Sequence, residues 1–340
     1  LFTDNKYEAL NYLSKAYQKK PDVTDDIKLM MGRAYHLVHD FDKAIIEYNQ
    51  YKSKSADPDE VIKVNRYIQE CKNGQEIIQE PLRVIINNLG KNINSTEDDY
   101  FPICTKNETI MYFTSRRPVG EKSEISLVDN KYFEDVYKSN FVDNKWQTAT
   151  RVFAKNLGDK KNTENTAAVG VNPDGSKIYF YNGNDDAGDI VLIELKKNNK
   201  WSKDKKPKAK INTKYKETAI SYAPDGNRIY YISSNEKTSR GGKDIFYIDK
   251  DERGKWGKPR NISPIVNTKY DEEGVSITED GRTLYFSSKG HNSIGGYDIF
   301  KTYLDSNGLW TPPVNIGFPV NTADDDLFYH SSSKGKFAYY

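Results

Sequence analysis

A chain of 340 residues is longer than one ordinary hydrophobic core and implies two domains, or one domain joined to a repeat array. Its 51 lysines and arginines stand against 49 aspartates and glutamates, so a formal charge of +2 supplies no bulk field for nucleic acid or anionic lipid, and no nucleic-acid partner is expected. No run of eighteen apolar residues occurs, so no segment is expected to span a bilayer as a helix.

The 25 tyrosines and 14 phenylalanines are many for so polar a chain, and they suit short strands buried on both faces. Cys71 and Cys104 fall in different predicted domains, so they read as buried small apolar residues and not as a disulfide. The chain opens on Leu1 with no charged-then-apolar leader and ends inside a repeat at Tyr340, which reads as a processed or partly represented protein.

Residues 1–80 are expected to form a TPR-like α-helical superhelix. Gly32, Tyr35, Ala44 and Tyr48 stand at tetratricopeptide spacing, with Pro58 closing the unit, and Ala9, Leu13, Ala16 and Pro21 repeat the second half of that signature. Gly32 and Ala44 let two helices approach while Tyr35 and Tyr48 fill the gaps beside them. Thr24 is the expected N-cap of the second helix. Such a domain serves either as a spacer or as a peptide-binding groove. His36 and His39 are spaced to share a metal, but no third ligand is near in sequence, so no metal site is assigned.

Residues 81–340 change to short strands bounded by Asn, Asp, Gly and Pro, the signature of an all-β repeat. Tryptophans 146, 201, 256 and 310 recur at a period close to 55 residues, each after an Asp-Ile or Asp-Val pair at Asp135, Asp189, Asp244 or Asp298. Each unit reads as four strands. An Asn step (Asn94, Asn162, Asn212, Asn267, Asn321) leads into strand a, and a turn such as Pro224-Asp225-Gly226 sends the chain back as strand b. Strand c begins at the Asp-Ile pair, and strand d begins at the tryptophan.

Four antiparallel strands make one propeller blade. Five Asn steps but four tryptophans imply a five-bladed propeller whose fifth blade is incomplete here. The run Pro81-Leu82-Arg83-Val84-Ile85-Ile86-Asn87-Asn88 matches strand d of other units, so an N-terminal strand is expected to close the ring and cover its edges.

With Asp-Gly, Leu284-Tyr285-Phe286-Ser287-Ser288, Gly295-Gly296-Tyr297-Asp298-Ile299-Phe300 and Trp-x-x-Pro in hand, the repeat resembles the WD40-like propellers of TolB-like periplasmic proteins. A tetratricopeptide region followed by this propeller is similar to envelope proteins that continue into an OmpA-like peptidoglycan-binding domain, including PorE-type components of type IX secretion. That resemblance implies a periplasmic, outer-membrane-associated scaffold whose partners are other envelope proteins. Peptidoglycan would be bound only through the OmpA-like domain, which this sequence lacks.

Two candidate sites emerge. Five residues past the Asn steps stand Asp99, Ala167, Glu217, Glu272 and Asp326, and four of these are acidic. If strand a is innermost, the carboxylates ring one mouth of the channel for a cation or a basic peptide. The alternative is that each accepts hydrogen bonds from N–H groups of a neighbouring blade. The second candidate is the long b–c connection of the first blade, between Ser115 and Asp135, where Arg116, Arg117, Lys122 and Lys131 would meet a partner or simply face solvent. The Asp of each Asp-Ile pair is expected to cap the turn into strand c. No catalytic motif is present, His291 lies in a turn, and no catalytic, cofactor-binding or metal-binding residue is assigned. The chain is expected to be non-enzymatic, with a glycan- or muropeptide-binding propeller, or a hydrolase using channel carboxylates, as the alternatives.

Overall fold

The computed structural model describes residues 5–340 apart from 22–23, 25, 122, 153–163, 185–186, 198–199 and 333–334. Four helices come first: α1 (Lys6–Lys19), α2 (Ile27–Leu37), α3 (Phe41–Lys52) and α4 (Pro58–Ile77). The chain divides into two compact units. One comprises Leu1–Ile85 with Ser288–Ile299 and Asn315–Asp326; the other comprises Ile86–Ser287 with Phe300–Val314 and Leu327–Tyr340.

In the helical unit, side-chain oxygens satisfy the orphan N–H groups that open three helices. Asn5 accepts from Glu8 N at 3.0 Å, Asp40 from Lys43 N at 3.4 Å, and Asp57 from Asp59 N at 2.9 Å with Pro58 at the first position. At α2 the cap residue is Asp26 and not Thr24, whose hydroxyl instead accepts from Asp26 N at 3.4 Å. Gly32 carries the close approach read from its spacing: a Cβ there would lie 2.5 Å from the Tyr48 ring. Gly74 meets Phe41 in the same way. Phe41, Ala44, Tyr48, Val64 and Cys71 then close a core that also buries Ile294 and Ala323, from the two later segments of this unit.

The strands form successive sheets. The first contains β1 (Asp99–Cys104), β2 (Ile110–Ser115), β3 (Asp135–Val142), β4 (Lys145–Trp146) and β5 (Thr150–Arg151). The second contains β6 (Thr166–Val171), β7 (Lys177–Asn184) and β8 (Ala187–Glu194); the third contains β9 (Glu217–Tyr222), β10 (Arg228–Ser233), β11 (Asp244–Asp249) and β12 (Arg260–Asn261). β13 (Glu272–Ile277), β14 (Thr283–Ser288), β15 (Asp298–Tyr303) and β16 (Val314–Asn315) follow in order, and β17 (His330–Ser331) pairs with β18 (Ala338–Tyr339).

These sheets make a β-propeller of about four blades, with N-terminal helices before it. The Asp-Gly turns hold Gly175, Gly226 and Gly281 at φ near +70°, which a side chain disfavours. The first strands neighbour one another: β6 lies between β1 and β9, β13 lies beside β9, and β17 lies beside β1. Between them sits an apolar core with Phe180, Phe286, Phe300 and Tyr231 fully buried. Most tryptophans meet the end of strand c through single bridges, such as Lys250 with Trp256, so strand d is broken into a bridge and a two-residue strand.

One expectation needs correction. Residues 81–90 form no strand and are exposed throughout. Leu82 N donates to Phe318 O at 2.7 Å, but no ladder continues from it. The physical reason is the missing pairing surface: strand d bonds to strand c, as β12 does to β11, and among the described residues β18 pairs with β17 and with no third strand.

Candidate binding cavity of the propeller

The propeller unit contains a cavity of about 110 Å³ lined by β1, β6, β9, β13 and β17 and by the turns that follow them. It has room for a few waters or one apolar side chain. Its walls are mixed: Phe101, Val169, Ile220, Tyr222, Phe328 and Tyr329 supply apolar and aromatic surface, and Lys106, Glu108 and Glu279 stand among the polar lining.

Phe101 and Phe328 stack with ring centroids 4.2 Å apart. Both have positive φ, 55° and 62°, a conformation that bulky residues adopt at a cost of order 1–3 kcal/mol. In β1 the register against β2 shifts between Tyr100 and Ile103, so Phe101 sits in a bulge that re-aims its side chain. Gly274, the residue at the matching position of β13, shares the left-handed conformation at φ 58°, and a Cβ there would lie 3.1 Å from Phe328. Deeper in the lining, Ser276 Oγ and His330 Nδ1 are 3.4 Å apart. Burial pushes the His330 imidazole down to about 4, against the opposing pull of Glu108, so at neutral pH the pair is uncharged.

None of Asp99, Glu217, Glu272 and Asp326 lines this cavity. Each carboxylate staples the turn of its own unit, four residues back. Glu217 accepts from Thr213 N at 3.1 Å, Thr213 Oγ1 at 2.8 Å and Ser233 Oγ at 2.8 Å. Glu272 accepts from Thr268 N at 3.1 Å and Thr268 Oγ1 at 2.8 Å. Asp326 does the same with Thr322, at 2.6 and 3.1 Å. Asp99 accepts from Ser95 Oγ at 2.9 Å and pairs with Arg117 at 2.7 Å. Burial raises the Glu217 carboxyl above its usual range and lifts that of Asp326 to about 7. A four-residue offset between Asn-Thr and the acid was readable as a side-chain-to-turn motif.

In the first-blade connection the two arginines face inward, while Lys131 is exposed. Arg116 reaches Tyr132 O at 2.9 Å, Asp129 at 3.0 Å and Glu134 at 3.0 Å, and Arg117 reaches Asp99 and Ile93 O. Lys131 pairs with Asp98 at 2.6 Å, and Lys122 lies outside the described residues. Beside the exposed Glu121, Glu124, Asp129 and Lys131, the connection also leaves Leu127 and Val128 in solvent.

The histidines of α2 are also engaged. His36 is buried, its Nε2 donates to Ile294 O at 2.7 Å, and burial with the Arg33 charge pushes its imidazole down to about 3. His39 Nε2 accepts from Ala323 N at 3.3 Å. Cys71 and Cys104 are both buried free thiols. Among the described residues no helix is long and apolar enough to cross a membrane.

Sequence reasoning missed the role of the asparagines. The amide of Asn267 clasps both backbone groups of Ile245, accepting from its N–H at 2.9 Å and donating to its carbonyl at 2.9 Å. Asn212 holds Ile190 and Asn321 holds Ile299 in the same way. In every case the isoleucine lies 22 residues upstream, at the Asp-Ile pair. At two of the four pairs the aspartate caps the entry turn as expected: Asp244 accepts from Arg240 N at 2.9 Å, and also from Asn261 Nδ2 at 2.7 Å, and Asp298 accepts from Ile294 N at 2.9 Å, whereas Asp135 pairs with Arg151 and Asp189 with Lys206. The constant spacing was the signal.

No family model matches the chain, and no curated protein matches it significantly. Among solved structures it is similar to a TolB-like protein from Agrobacterium tumefaciens, at 16% identity over 72% of this chain and 90% of that one, with a TM-score of 0.38. It is also similar to a glycoside hydrolase, at 13% identity over 76% and 86% of the two chains with a TM-score of 0.44. A periplasmic gluconolactonase from Pseudomonas aeruginosa matches at 10% identity over 70% and 76%, with a TM-score of 0.37. At such scores these are distant likenesses, and the fold rests on the strand ladders themselves.

Proposed function

We propose that the protein is a non-enzymatic scaffold of the bacterial envelope, and that the propeller cavity receives an apolar side chain of a partner protein. The observation that carries this is the state of the carboxylates. A glycosidase needs two free acids facing one bond, whereas Asp99, Glu217, Glu272 and Asp326 each hold their own turn. The cavity offers aromatic walls and the Ser276–His330 pair beside the charged Lys106, Glu108 and Glu279, which suits an anchor residue of a partner protein.

The sequence resemblance supplies the finer reading: a TPR-like helical region, a periplasmic location at the outer membrane, and type IX secretion as the process served. Peptidoglycan would then be held by an OmpA-like domain outside these residues. The propeller is read as five-bladed, with β17 and β18 as two strands of the fifth blade.

Purified protein incubated with soluble peptidoglycan fragments and with envelope polysaccharides tests the class. No saturable binding and no turnover are expected. Turnover that disappears in Glu217→Gln at unchanged thermal stability would replace the scaffold with a hydrolase.

A further inference from the structure

The formal charge of +2 conceals one strongly uneven stretch. Residues 194–217, from the end of β8 to the start of β9, hold ten lysines, no arginine and only three carboxylates, Glu194, Asp204 and Glu217. The rest of the chain is acidic on balance. The propeller supplies its own comparison, because the same stretch recurs in each repeat. Residues 139–167 carry five cations against three carboxylates, residues 249–272 carry six against five, and residues 303–326 carry four carboxylates and no cation. Blade architecture therefore does not require the lysines.

The lysine-rich stretch begins at the outer edge of the second sheet. Leu195 bridges Trp201 and Leu192 bridges Lys205, so the chain folds back along β8. Lysines on an outer strand can serve simply to keep other strands away. Yet β16 forms the same edge of the fourth sheet with no cation in its stretch. The charges are also largely uncompensated. Asp189 takes Lys206 at 3.0 Å, Glu194 takes Lys205, and Glu217 is committed to Thr213. Lys196, Lys197, Lys203, Lys208, Lys210 and Lys214 are exposed and form no ion pair among the described residues. Like charges gathered this closely repel one another and lower stability, so folding is not what they serve.

We propose that this lysine edge is a docking surface for an anionic phospholipid bilayer, on which the propeller sits peripherally. Ammonium groups on flexible stems are point charges that follow anions whose positions shift, as headgroups in a fluid leaflet do. Fixed carboxylates and phosphates are instead gripped in pairs by the arginine fork, which the stretch lacks. Protein interfaces are depleted in lysine and anchored by aromatic or arginine side chains. Single-stranded nucleic acid needs exposed rings to stack on, and the two aromatics of the stretch, Trp201 and Tyr215, are half-buried. Near an anionic leaflet each lysine strengthens binding roughly fivefold, over a reach of about 10 Å at 0.1 M salt. This surface goes beyond the scaffold reading and is independent of what the cavity binds.

Co-sedimentation of the whole chain with vesicles tests the surface. Vesicles of phosphatidylcholine with a quarter phosphatidylglycerol are expected to retain the protein at low salt, and vesicles of phosphatidylcholine alone to leave it in solution. Retention should vanish at about 1 M salt, where charges act over about 3 Å. Combining the exposed substitutions Lys203→Gln, Lys208→Gln and Lys210→Gln should weaken binding roughly tenfold or more, and Lys196→Gln with Lys197→Gln, beside the end of β8, gives an independent loss of several-fold. Removing the same charge from the third unit, by Lys255→Gln, Lys258→Gln and Lys269→Gln, should change it by less than about twofold. No retention on the anionic vesicles, equal retention on both kinds, or equal weakening by the third-unit variant overturns the surface. Lysine-dependent binding that is tighter to a soluble acidic polysaccharide than to the vesicles assigns the edge to a glycan and overturns it as well.

Discussion

Asn267 satisfies two buried backbone groups of Ile245 with one amide, so its removal leaves both without partners. Each orphaned group costs about 1–3 kcal/mol. Asn267→Leu should therefore lower the unfolding free energy in urea by about 2–4 kcal/mol. Asn94→Leu removes an oxygen that has no partner among the described residues and should leave stability unchanged or raise it. Equal losses at the two positions would mean that Asn94 is satisfied by contacts other than those seen. For the acids, Glu217→Ala strips Thr213 and Ser233 of their acceptor and is expected to cost about 1–3 kcal/mol in the same measurement. The asparagine and acid positions were both visible in the sequence as periodic features. Their roles were not, because a hydrogen bond between residues 22 apart depends on how two strands are juxtaposed, which spacing alone does not specify.

The helical elements fold around close approaches that were legible residue by residue. Gly32→Ala drives a methyl into the Tyr48 ring and should destabilise the helical unit by about 1–3 kcal/mol, seen as faster amide exchange across α2 and α3. His36 adds a pH dependence with a definite sign. Its folded pKa of about 3 lies below its ordinary value of 6.5, so its contribution is full above pH 6.5 and is lost as pH falls from there towards 3. Glu70 and Asp326, both lifted to about 7 by burial, act in the opposite sense, their contribution fading as pH rises through 7. Comparison with His36→Gln isolates the histidine. Between pH 7.5 and 5 the wild type should lose about 2 kcal/mol more than the variant. An identical pH profile for the two would show that His36 is not buried neutral against Ile294 O. That contact joins residues far apart in the sequence, so the buried role of His36 had no local signal.

At the scale of the whole molecule, the repeat period, the Asp-Gly turns and the tryptophans led directly to a propeller, because each unit cannot bury both its faces alone. The cavity did not emerge from the acids. Its lining falls on the far ends of the first strands, where Phe101 and Phe328 occupy left-handed backbone positions that no propensity favours. Closure was legible only in part: residues 81–90 carry the pattern of an outer strand yet form no strand. The reading of the molecule as a protein-binding scaffold turns on the cavity mouth. A photo-cross-linking amino acid at Lys106, an exposed lining position, installed in cells and followed by mass spectrometry, tests it most directly. The account predicts an adduct with one discrete envelope protein that is lost when the exposed Glu279→Trp overhangs the cavity. Adducts only with glycan, or a protein adduct indifferent to Glu279→Trp, would contradict it.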